Sequence, residues 1–430
     1  MSPAGVTSQA EALLSPPGTE LLARVAEAHG HGEPILATAA RLRREFPAEL
    51  VAAATAQDEL RVAGQAKFSR ALRMLFTRPG LEQASSETAA RHRASRLYAA
   101  APPGPDSRLA DLGCGIGGDL IALAAGREVL AVDRDPDHLL MAAHNAGVYD
   151  VAEGLHTEQA DVRDVSLAGI TAVFADPARR SPRGAAQRRR LRPGDSEPPL
   201  DWCFALTGQV PNVVIKAAPG LPAGTTPDGW ETEFVADGRD LKEAVLWSPA
   251  LATAPARATI LPAGHTLTPE PGDPVPVRAP GRYLFDPSPA VTRAGLVEDL
   301  ARRLGAWKID DRIAFLSADA VGTAGTAGTA GTADHAGGTP FARTLSIVES
   351  APWNEKHFAR RLRELGIGSA DLRRRGLAGD VDQIRRRLKL SGPHRATLVL
   401  TRVADRPWGL ICTDAGPGPE TSPGPDAGGI

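Results

Sequence analysis

The chain has few cysteines, few aromatic residues and no long apolar run. Its three cysteines, Cys114, Cys203 and Cys412, are far apart and lack the spacing of metal ligands. This usage argues against a disulfide framework and a zinc site and is typical of a reducing cytosol. Residues 1–18 lack the basic start and the apolar centre of a signal peptide, and no apolar run approaches membrane-spanning length. We therefore predict a cytoplasmic protein that uses no metal and no membrane.

An excess of charge of one sign is also lacking. The 430 residues include 49 basic and 51 acidic side chains, which give a formal net charge of −2 at pH 7. This balance excludes a global attraction to nucleic acid, so any such binding must come from local patches. Only six of the basic residues are lysines, and arginine is common along the whole chain. An arginine run is therefore discounted as evidence of function by itself.

Residue periodicity divides the chain into a helical part and parts that contain strands. Between Thr19 and Tyr98 apolar residues recur at helical spacing without evident chemistry, so a packing buttress is favoured over a substrate-gripping cap. From Arg108 onward strands alternate with helices, which predicts an α/β, Rossmann-like fold with a parallel sheet. Shorter α+β, ferredoxin-like units follow. The predicted divisions are a disordered N-terminus (1–18), a helical N-terminal region (19–100), the Rossmann-like domain (101–264), a small ferredoxin-like unit (277–320), a low-complexity loop (321–340), a second α+β unit (341–412) and a disordered tail (413–430).

A glycine-rich turn follows the first strand of the alternating region. Arg108–Leu112 reads as the end of a buried strand, and an apolar helix begins soon after the turn. A strand, a glycine turn and a helix let backbone N–H groups face a ligand, because no Cβ blocks the approach. The next strand ends in Asp133, at the usual place for an acid that binds ribose hydroxyls. The glycines of the turn are Gly113, Gly115, Gly117 and Gly118.

Two ligands fit this turn, and charge separates them. Gly113, Gly115 and Gly118 also satisfy G-x-G-x-x-G, which makes a nicotinamide or flavin dinucleotide the alternative. Asp111 precedes the turn and Asp119 follows it directly. Carboxylates repel a pyrophosphate but favour S-adenosylmethionine, which carries a sulfonium and an ammonium and no phosphate. The turn is therefore predicted to bind S-adenosylmethionine.

Two further acids follow strands of the same predicted sheet. The carboxylate of Asp161, after the third strand, either accepts a hydrogen bond from an adenine amine or caps a helix. Asp176 follows the fourth strand, opposite the glycine turn, where a methyl acceptor would approach. It is predicted to orient the attacking nitrogen or hydroxyl or to take its proton, the alternative being an ordinary Asp-Pro turn. The glycine turn upstream favours the functional interpretation.

Arginine clusters occur on different predicted elements. Such runs suit the phosphates of a polyanion, and the alternative is a solvated surface of an arginine-rich protein. Separate clusters together favour polyanion binding more than either does alone. Stacking aromatic residues are scarce near them, so readout of bases is not evident. The clusters are Arg179, Arg180, Arg183, Arg188, Arg189, Arg190 and Arg192, then Arg373, Arg374 and Arg375, and finally Arg385, Arg386, Arg387 and Lys389.

These residues resemble the class I S-adenosylmethionine-dependent methyltransferases, and more narrowly a bacterial group with a C-terminal THUMP-like domain. Asp111–Gly117 resembles the donor-binding motif, Asp133 the ribose-binding acid, and Asp176–Arg179 the acceptor-side motif. The resemblance covers about residues 20–412. Stretches that resemble the narrower group are Phe76–Gln83, Lys216–Gly220, Asp240–Trp247 and Tyr283–Pro287.

The resemblance implies a methyltransferase domain at residues 101–264 and a THUMP-like domain at residues 341–412. It assigns S-adenosylmethionine to Asp111, Gly113, Gly115, Gly117 and Asp133. Because THUMP domains are associated with tRNA-modifying enzymes, the resemblance also implies an RNA substrate, either tRNA or rRNA.

Two departures from related patterns narrow the expected chemistry. Amino-group methyltransferases place a second proline and a stacking aromatic where this chain has Ala178 and Arg179, which argues against simple base-amine methylation. The 5-methyluridine methyltransferases of RNA carry a nucleophilic cysteine after the fifth strand, where this chain has Lys216. We therefore expect direct methyl transfer to RNA at Asp176 and Pro177, with Arg179 holding a phosphate or the Asp176 carboxylate. The alternatives are a small-molecule or protein methyltransferase, and a non-catalytic RNA-binding protein that holds the cofactor.

Overall fold

The computed structural model describes residues 8–415 except residues 101, 103, 105, 106, 180–195, 322–337, 378 and 379. The arginines from 180 to 192, the Gly-Thr-Ala repeat and the tail beyond residue 415 lie outside the described residues. The chain divides into two compact units, residues 1–235 with 242–255 and residues 236–241 with 256–430. Among the helices that the structure describes, none offers the apolar length that a membrane span requires.

Helices open the first unit, which confirms the helical N-terminal region. Their buried faces share one apolar core with the helices of the sheet domain, in which Leu21, Val51 and Phe76 meet Ile121 and Met141. The N-terminal helices are α1 (Gln9–Leu14), α2 (Pro16–Gly30), α3 (Ile35–Leu42), α4 (Ala48–Gly64), α5 (Arg78–Gln83) and α6 (Glu87–Ala100).

The disorder predicted for residues 1–18 is wrong from residue 8 onward. The Ser8 hydroxyl accepts the N–H of Glu11 and the Glu11 carboxylate accepts the N–H of Ser8, which forms a capping box at the start of α1. Ser15 caps α2 in turn, and Leu13 is fully buried. Two helix caps and one apolar face decide the structure here, and the polar composition concealed them.

A parallel sheet with helices on both sides follows, as predicted. Its strand order includes the run β8-β9-β7-β4-β1-β2-β3, in which β1, β2, β3, β4 and β7 are parallel and β9 runs antiparallel to β7. The strands are β1 (Arg108–Leu112), β2 (Glu128–Asp133), β3 (Leu155–Gln159), β4 (Ile170–Ala175), β5 (Ala178–Arg179), β6 (Ser196–Glu197), β7 (Asn212–Ala217), β8 (Glu231–Asp237) and β9 (Asp240–Trp247). The helices between them are α7 (Leu120–Leu123), α8 (Pro136–Val148) and α9 (Leu200–Ala205).

The strand order determines where a ligand binds. From β1 the chain proceeds outward to β2 and β3 on one side and to β4 and β7 on the other. In open sheets of this kind, ligands bind beyond the carboxyl ends of the strands at the point where the order reverses. Here that point lies between β1 and β4.

A second sheet forms the core of the second unit. Its order is β13-β14-β12-β15-β18-β17-β16, and helices α12 and α13 cover it with Phe358, Leu362 and Leu388. The strands of this unit are β10 (Ala256–Leu261), β11 (His265–Leu267), β12 (Tyr283–Pro287), β13 (Trp307–Lys308), β14 (Leu316–Ala318), β15 (Ala342–Pro352), β16 (Ile367–Arg374), β17 (His394–Val403) and β18 (Arg406–Asp414). The helices are α10 (Pro289–Arg293), α11 (Val297–Leu304), α12 (Glu355–Glu364) and α13 (Val381–Leu388).

This sheet contains strands from both segments that the sequence analysis treated separately, 277–320 and 341–412. They are joined because β12 pairs antiparallel with β15 over five residue pairs. The pairing crosses the low-complexity stretch between the two segments, so neither composition nor local periodicity could indicate it.

Buried ion pairs join α6 to the sheet of the first unit. Arg93 is 1% exposed, and its guanidinium contacts the carboxylates of Asp119, which is 7% exposed, and Glu243, which is 4% exposed. One turn further along α6, Arg96 donates to Glu233 at 2.8 Å. A buried charge is tolerated only when it is paired, so these contacts couple the helices to the sheet. They favour the buttress interpretation of the helical region.

We predict that Arg93→Met lowers the free energy of unfolding by about 3–5 kcal/mol, because it leaves two buried carboxylates without their partner. Urea denaturation at neutral pH measures this loss. The matched control is Arg91→Met on the same helix, whose side chain is 66% exposed and pairs with Glu87. We expect the control to cost about 1 kcal/mol or less. Equal losses in the two variants would contradict the importance of the buried pairs.

Candidate active site

The glycine turn packs tightly on one side and is open on the other. Gly113, Gly115 and Gly117 have φ angles of +89°, +52° and +85°, which L side chains rarely adopt. A Cβ at Gly113 would lie 3.1 Å from the backbone oxygen of Asp176, and one at Gly117 would lie 3.1 Å from the Cα of Ala142. A Cβ at Gly115 would meet no atom within 4 Å. The turn therefore presents its middle glycine to open space, as a ligand-binding loop requires.

Asn145, a residue that the sequence analysis missed, holds this turn to the N-terminal helices. It lies on α8 and is fully buried. Its side chain accepts the N–H of Leu75 at 2.8 Å and donates to the carbonyl oxygens of Leu75 at 3.0 Å and Ile116 at 2.9 Å. Because Ile116 lies inside the turn, one amide links the turn to the helical region. No local pattern in the sequence could have indicated a bridge between such distant segments.

Asp133 lies at the end of β2, beside the turn, as predicted. Its two oxygens accept the N–H groups of Gly115 and Asp135, each at 2.9 Å. Burial alone would raise the pKa of Asp133, but hydrogen bonds from His138, Asp135 and Gly115 lower it. The carboxylate is therefore ionised and fixed in direction. The remaining lone pairs suit the hydroxyls of a ribose.

Asp111 is a buried carboxyl group that accepts no hydrogen bond from the described residues. It is 1% exposed, and neither of its oxygens has a hydrogen-bond partner among the described residues. Burial raises its pKa well above the usual value, and the charges of Asp119, Asp176 and Asp133 raise it further. An unsatisfied buried acceptor costs about 1–3 kcal/mol. The position therefore fits a ligand that brings a positively charged donor, such as an ammonium group.

Asp119 has partners within the chain, contrary to the prediction that its carboxylate faces the ligand. The sequence analysis treated it as a carboxylate that faces the ligand. In the structure Asp119 is buried, the guanidinium of Arg93 pairs with it, and the Ser85 hydroxyl donates to it at 2.8 Å. Burial would raise the pKa of Asp119, but Arg93 lowers it. Asp111 and Asp133 therefore account for the acidity that a ligand would meet at the turn.

Asp161 lies two residues beyond β3 and has partners within the chain. It accepts the N–H of Arg163 at 3.0 Å and forms an ion pair with Arg134 at 2.7 Å. The N–H of Arg163 lowers the pKa of Asp161, and Arg134 adds to the effect. All residues between β3 and β4 are described and no helix begins among them, so the helix-capping alternative is wrong. The proposed contact with adenine stays a prediction.

Asp176 lies opposite the turn, where its backbone N–H donates to the carbonyl oxygen of Leu112 at 3.2 Å. Pro177 is half-buried beside it. The short strands β5 and β6 pair antiparallel, Ala178 with Glu197 and Arg179 with Ser196, and so give the acceptor-side motif a defined backbone. The structure thus brings Asp176 to the glycine turn as predicted.

Lys216, on β7, also belongs to this site, a role that the sequence analysis did not assign to it. Its Nζ lies 2.6 Å from Oδ2 of Asp176. Burial would lower the pKa of Lys216, but Asp176 and Asp119 raise it, so the group is an ammonium. One signal could have found it, because a lysine is rare in this chain and this one comes at the carboxyl end of a buried strand.

The cysteines are unsuited to covalent catalysis. Cys114, Cys203 and Cys412 are all buried. Burial raises the pKa of the Cys203 thiol to about 12, does the same for Cys412, and raises the pKa of Cys114 well above its usual value. Only a thiolate is a strong nucleophile, and none of these thiols forms one near neutral pH. In the part of the chain that the structure describes, no three His, Cys, Asp or Glu side chains are grouped to hold a metal ion.

The arginine clusters of the second unit differ in their availability. Arg375 donates to the buried carboxylate of Asp286 at 2.8 Å, and Arg373 donates to Asp371 at 2.9 Å. This corrects the reading of Arg373–Arg375 as a surface track, because Arg375 serves the fold. Arg385–Arg387 are exposed on α13, where only partly exposed or exposed acids pair with them. The cluster beyond Arg179 lies outside the described residues.

Family models match three parts of the chain. A model of RNA cap guanine-N2 methyltransferases matches residues 107–186, which span the glycine turn and Asp176. A THUMP domain-like model matches residues 342–414. A model of a domain of unknown function matches residues 7–64, in the N-terminal helices.

Comparisons that cover most of the chain give similar descriptions. Two Mycobacterium tuberculosis proteins, from strains CDC 1551 and H37Rv, are described as uncharacterized S-adenosylmethionine-dependent methyltransferases. Each is 33% identical over 336 residues, which cover 76% of this chain and 85% of the relative. The crystal structure of a Porphyromonas gingivalis W83 protein, provisionally assigned as a methyltransferase, superposes with a TM-score of 0.71. It is 21% identical, covers 92% of this chain and 98% of its own, and so shows that the fold is shared.

The glycine turn, the acids around it and these relatives lead to one conclusion. The chain belongs to the class I S-adenosylmethionine-dependent methyltransferases, in a form that carries a THUMP-like domain near its C-terminus.

Proposed function

We propose that this methyltransferase acts on RNA, by direct transfer and without a covalent cysteine intermediate. One observation carries the proposal. The chain combines a segment similar to RNA cap guanine-N2 methyltransferases, which includes the glycine turn and Asp176, with a THUMP domain-like segment. The buried cysteines support direct transfer, because none offers a thiolate for attack on a base.

The residues of the turn fit the cofactor. When bound there, S-adenosylmethionine would supply the methyl group of its sulfonium, and the sulfur would be left as a neutral thioether. Asp111 is proposed to accept hydrogen bonds from the ammonium group, which would satisfy its unpartnered oxygens. Asp133 is proposed to accept hydrogen bonds from the ribose hydroxyls. The backbone at Gly113, Gly115 and Gly117 is proposed to line the cofactor site. Asp161 is proposed to lie at the adenine, on the far side of Asp133.

The acceptor side needs orientation more than a strong base. A methyl transfer from a sulfonium depends on holding the attacking atom in line and close to the methyl group. Asp176 is proposed to accept a hydrogen bond from the N–H or O–H group that receives the methyl. Pro177 is proposed to fix the turn that carries Asp176. Arg179 is proposed to hold a phosphate of the RNA or the Asp176 carboxylate.

Exposed basic residues on the second unit support an RNA partner. Lys356, Arg360 and Arg363 are exposed and follow each other at i, i+4 and i+7, so they share one face of α12. Arg385–Arg387 add three charges on α13. Their side chains are accessible to phosphates, although the net charge of the whole chain is slightly negative.

The proposal is tested by methyl transfer from labelled S-adenosylmethionine to total RNA from cells that lack the enzyme. Protein and small-molecule fractions of the same cells are assayed in parallel. We expect label in RNA. Label confined to one of the other fractions would make the enzyme a protein or small-molecule methyltransferase. Binding of cofactor and RNA without any transfer would identify a non-catalytic protein.

We predict that Asp176→Ala lowers kcat on RNA about a hundredfold or more and leaves the affinity for S-adenosylmethionine unchanged. Cys203→Ser is the comparison, and we expect it to keep most of the activity because that thiol is buried and protonated. Single-turnover rates and calorimetry measure the two quantities. A protein–RNA adduct that disappears in Cys203→Ser would show covalent chemistry instead.

Asp111→Asn is predicted to have opposite effects on stability and binding. The pKa of Asp111 is raised in the folded state, so its contribution to the free energy of unfolding falls as the pH rises above about 4, where the unfolded group ionises. The variant should therefore be more stable at pH 7. Its affinity for S-adenosylmethionine should fall about tenfold or more, since the ammonium loses an anionic partner.

Thermal unfolding and calorimetry check both effects of Asp111→Asn. The exposed Asp164 provides the control, Asp164→Asn, which should change neither quantity. Unchanged cofactor affinity in Asp111→Asn would remove Asp111 from the cofactor site.

We predict that RNA affinity falls steeply with salt and that neutralising Arg385, Arg386 and Arg387 reduces the slope of log K against log salt by up to about two. The matched control replaces Arg41, near the end of α3, and Arg43 and Arg44, just after α3, with glutamine. It should leave the slope unchanged. A reduced slope in the control alone would assign RNA binding to the helical region as a substrate cap.

A further inference from the structure

We propose that Lys216 is a positioning residue, whose ammonium group pairs with the Asp176 carboxylate and holds it toward the methyl acceptor. This inference rests on the proposed role of Asp176 and adds a second side chain to that site. It acts through Asp176 and needs no contact with the substrate.

The sheet register places the two groups side by side. In the parallel pair β4–β7, Ala175 lies opposite Ile215. Asp176 directly follows Ala175 and Lys216 directly follows Ile215, so both lie at the carboxyl edge of the sheet, where the site is. The distance from Nζ to Oδ2 is 2.6 Å, within the range of a strong charge-assisted hydrogen bond. The Lys216 side chain is 15% exposed and that of Asp176 33%, so the lysine reaches the acid from the protein interior.

The charges around the pair explain why Asp176 needs a partner. Arg93 already pairs with Asp119 and Glu243, which leaves Lys216 as the cation in contact with Asp176 among the described residues. The neighbouring carboxylates repel the charge of the Asp176 carboxylate, and a cation in direct contact with it offsets that repulsion. The charged and titratable groups around the pair are Asp111 on β1, Asp119 after the glycine turn, Arg93 on α6, Glu243 on β9 and, more distantly, Lys67 beyond α4.

The residue type supports a specific role. Only six of the 49 basic residues are lysines, so arginine is this chain's usual choice for a positive charge. At position 216 a compact ammonium can approach one carboxylate oxygen, whereas a guanidinium would bring five donors into a buried space. A buried ion pair adds little to stability compared with apolar residues, so stability alone does not explain the pair.

The experiment compares Lys216→Met, Asp176→Asn and the double variant with the wild-type enzyme, using total RNA from cells that lack the enzyme. We expect Lys216→Met to lower kcat at least about tenfold, with unchanged affinity for S-adenosylmethionine, and to move the acid limb of the pH–rate profile to higher pH. The double variant should be no slower than Asp176→Asn, because Lys216 acts only through that carboxylate. Losses that multiply in the double variant, or an unmoved acid limb, would overturn the inference.

Lys242→Met provides the matched control. Lys242 is an exposed lysine on β9, next to the buried Glu243 in sequence. Its rate and pH profile should equal those of the wild type. If Lys216→Met does not fold, Lys216→Gln takes its place, since it removes the charge and keeps a polar group at the end of a somewhat shorter side chain.

A second measurement separates this inference from the proposed function. The carboxyl carbon of Asp176 is followed by ¹³C NMR against pH without RNA, and its signal is assigned by its loss in Asp176→Asn. We expect the titration midpoint to rise in Lys216→Met or Lys216→Gln. If the wild type transfers no methyl to RNA, the proposed function fails while the midpoint still decides the role of Lys216. An unchanged midpoint would overturn that role whatever the substrate is.

Discussion

Charge compensation at one buried guanidinium is the interaction on which the rest of the cofactor domain depends. Arg93 pairs with Asp119, directly after the glycine turn, and with Glu243 on β9. Each of these groups would be costly to bury alone, because a low-dielectric interior disfavours an unpaired charge. Together they fix α6, the turn and the sheet as one body. The N-terminal helices are therefore part of the methyltransferase core.

The same surroundings give the acids of the site different roles. Asp119 and Glu243 are neutralised by Arg93 and serve the fold. Asp111 has no partner among the described residues and is suited to a cationic ligand. Asp176 has Lys216 beside it, at the carboxyl edge of the sheet. The distribution of two cations among four acids thus separates structural carboxyl groups from those open to ligands.

Arginine serves both folding and surface charge in the second unit. Arg239 and Arg375 both donate to the buried Asp286, and the guanidinium of Arg375 also lies over the ring of Phe315. This network gives the stretch Tyr283–Pro287, which contains Asp286, a structural explanation. The exposed arginines of α12 and α13 lack such a role and remain available to phosphates. Sequence alone could not separate the two kinds, because both occur in runs of the same composition.

The sequence by itself determined the parallel sheet, the glycine turn and the strand-end acids Asp133 and Asp176. Each of these follows from residues within a few positions of one another, since strand periodicity, glycine turns and parallel strand ends are local patterns. The disorder predicted before residue 18 failed for a local reason too, because the two serine caps of α1 and α2 were overlooked in a polar segment.

Only the tertiary structure decided which charges meet. Arg93 lies 26 residues from Asp119 and 150 from Glu243, and Lys216 lies 40 from Asp176. Sheet register and helix packing set these pairings, and no local pattern reports either. The same holds for β12 and β15, which join across a low-complexity stretch. The chain's local patterns thus specify a turn that can bind a cofactor, while long-range packing decides which carboxylates gain a cationic partner.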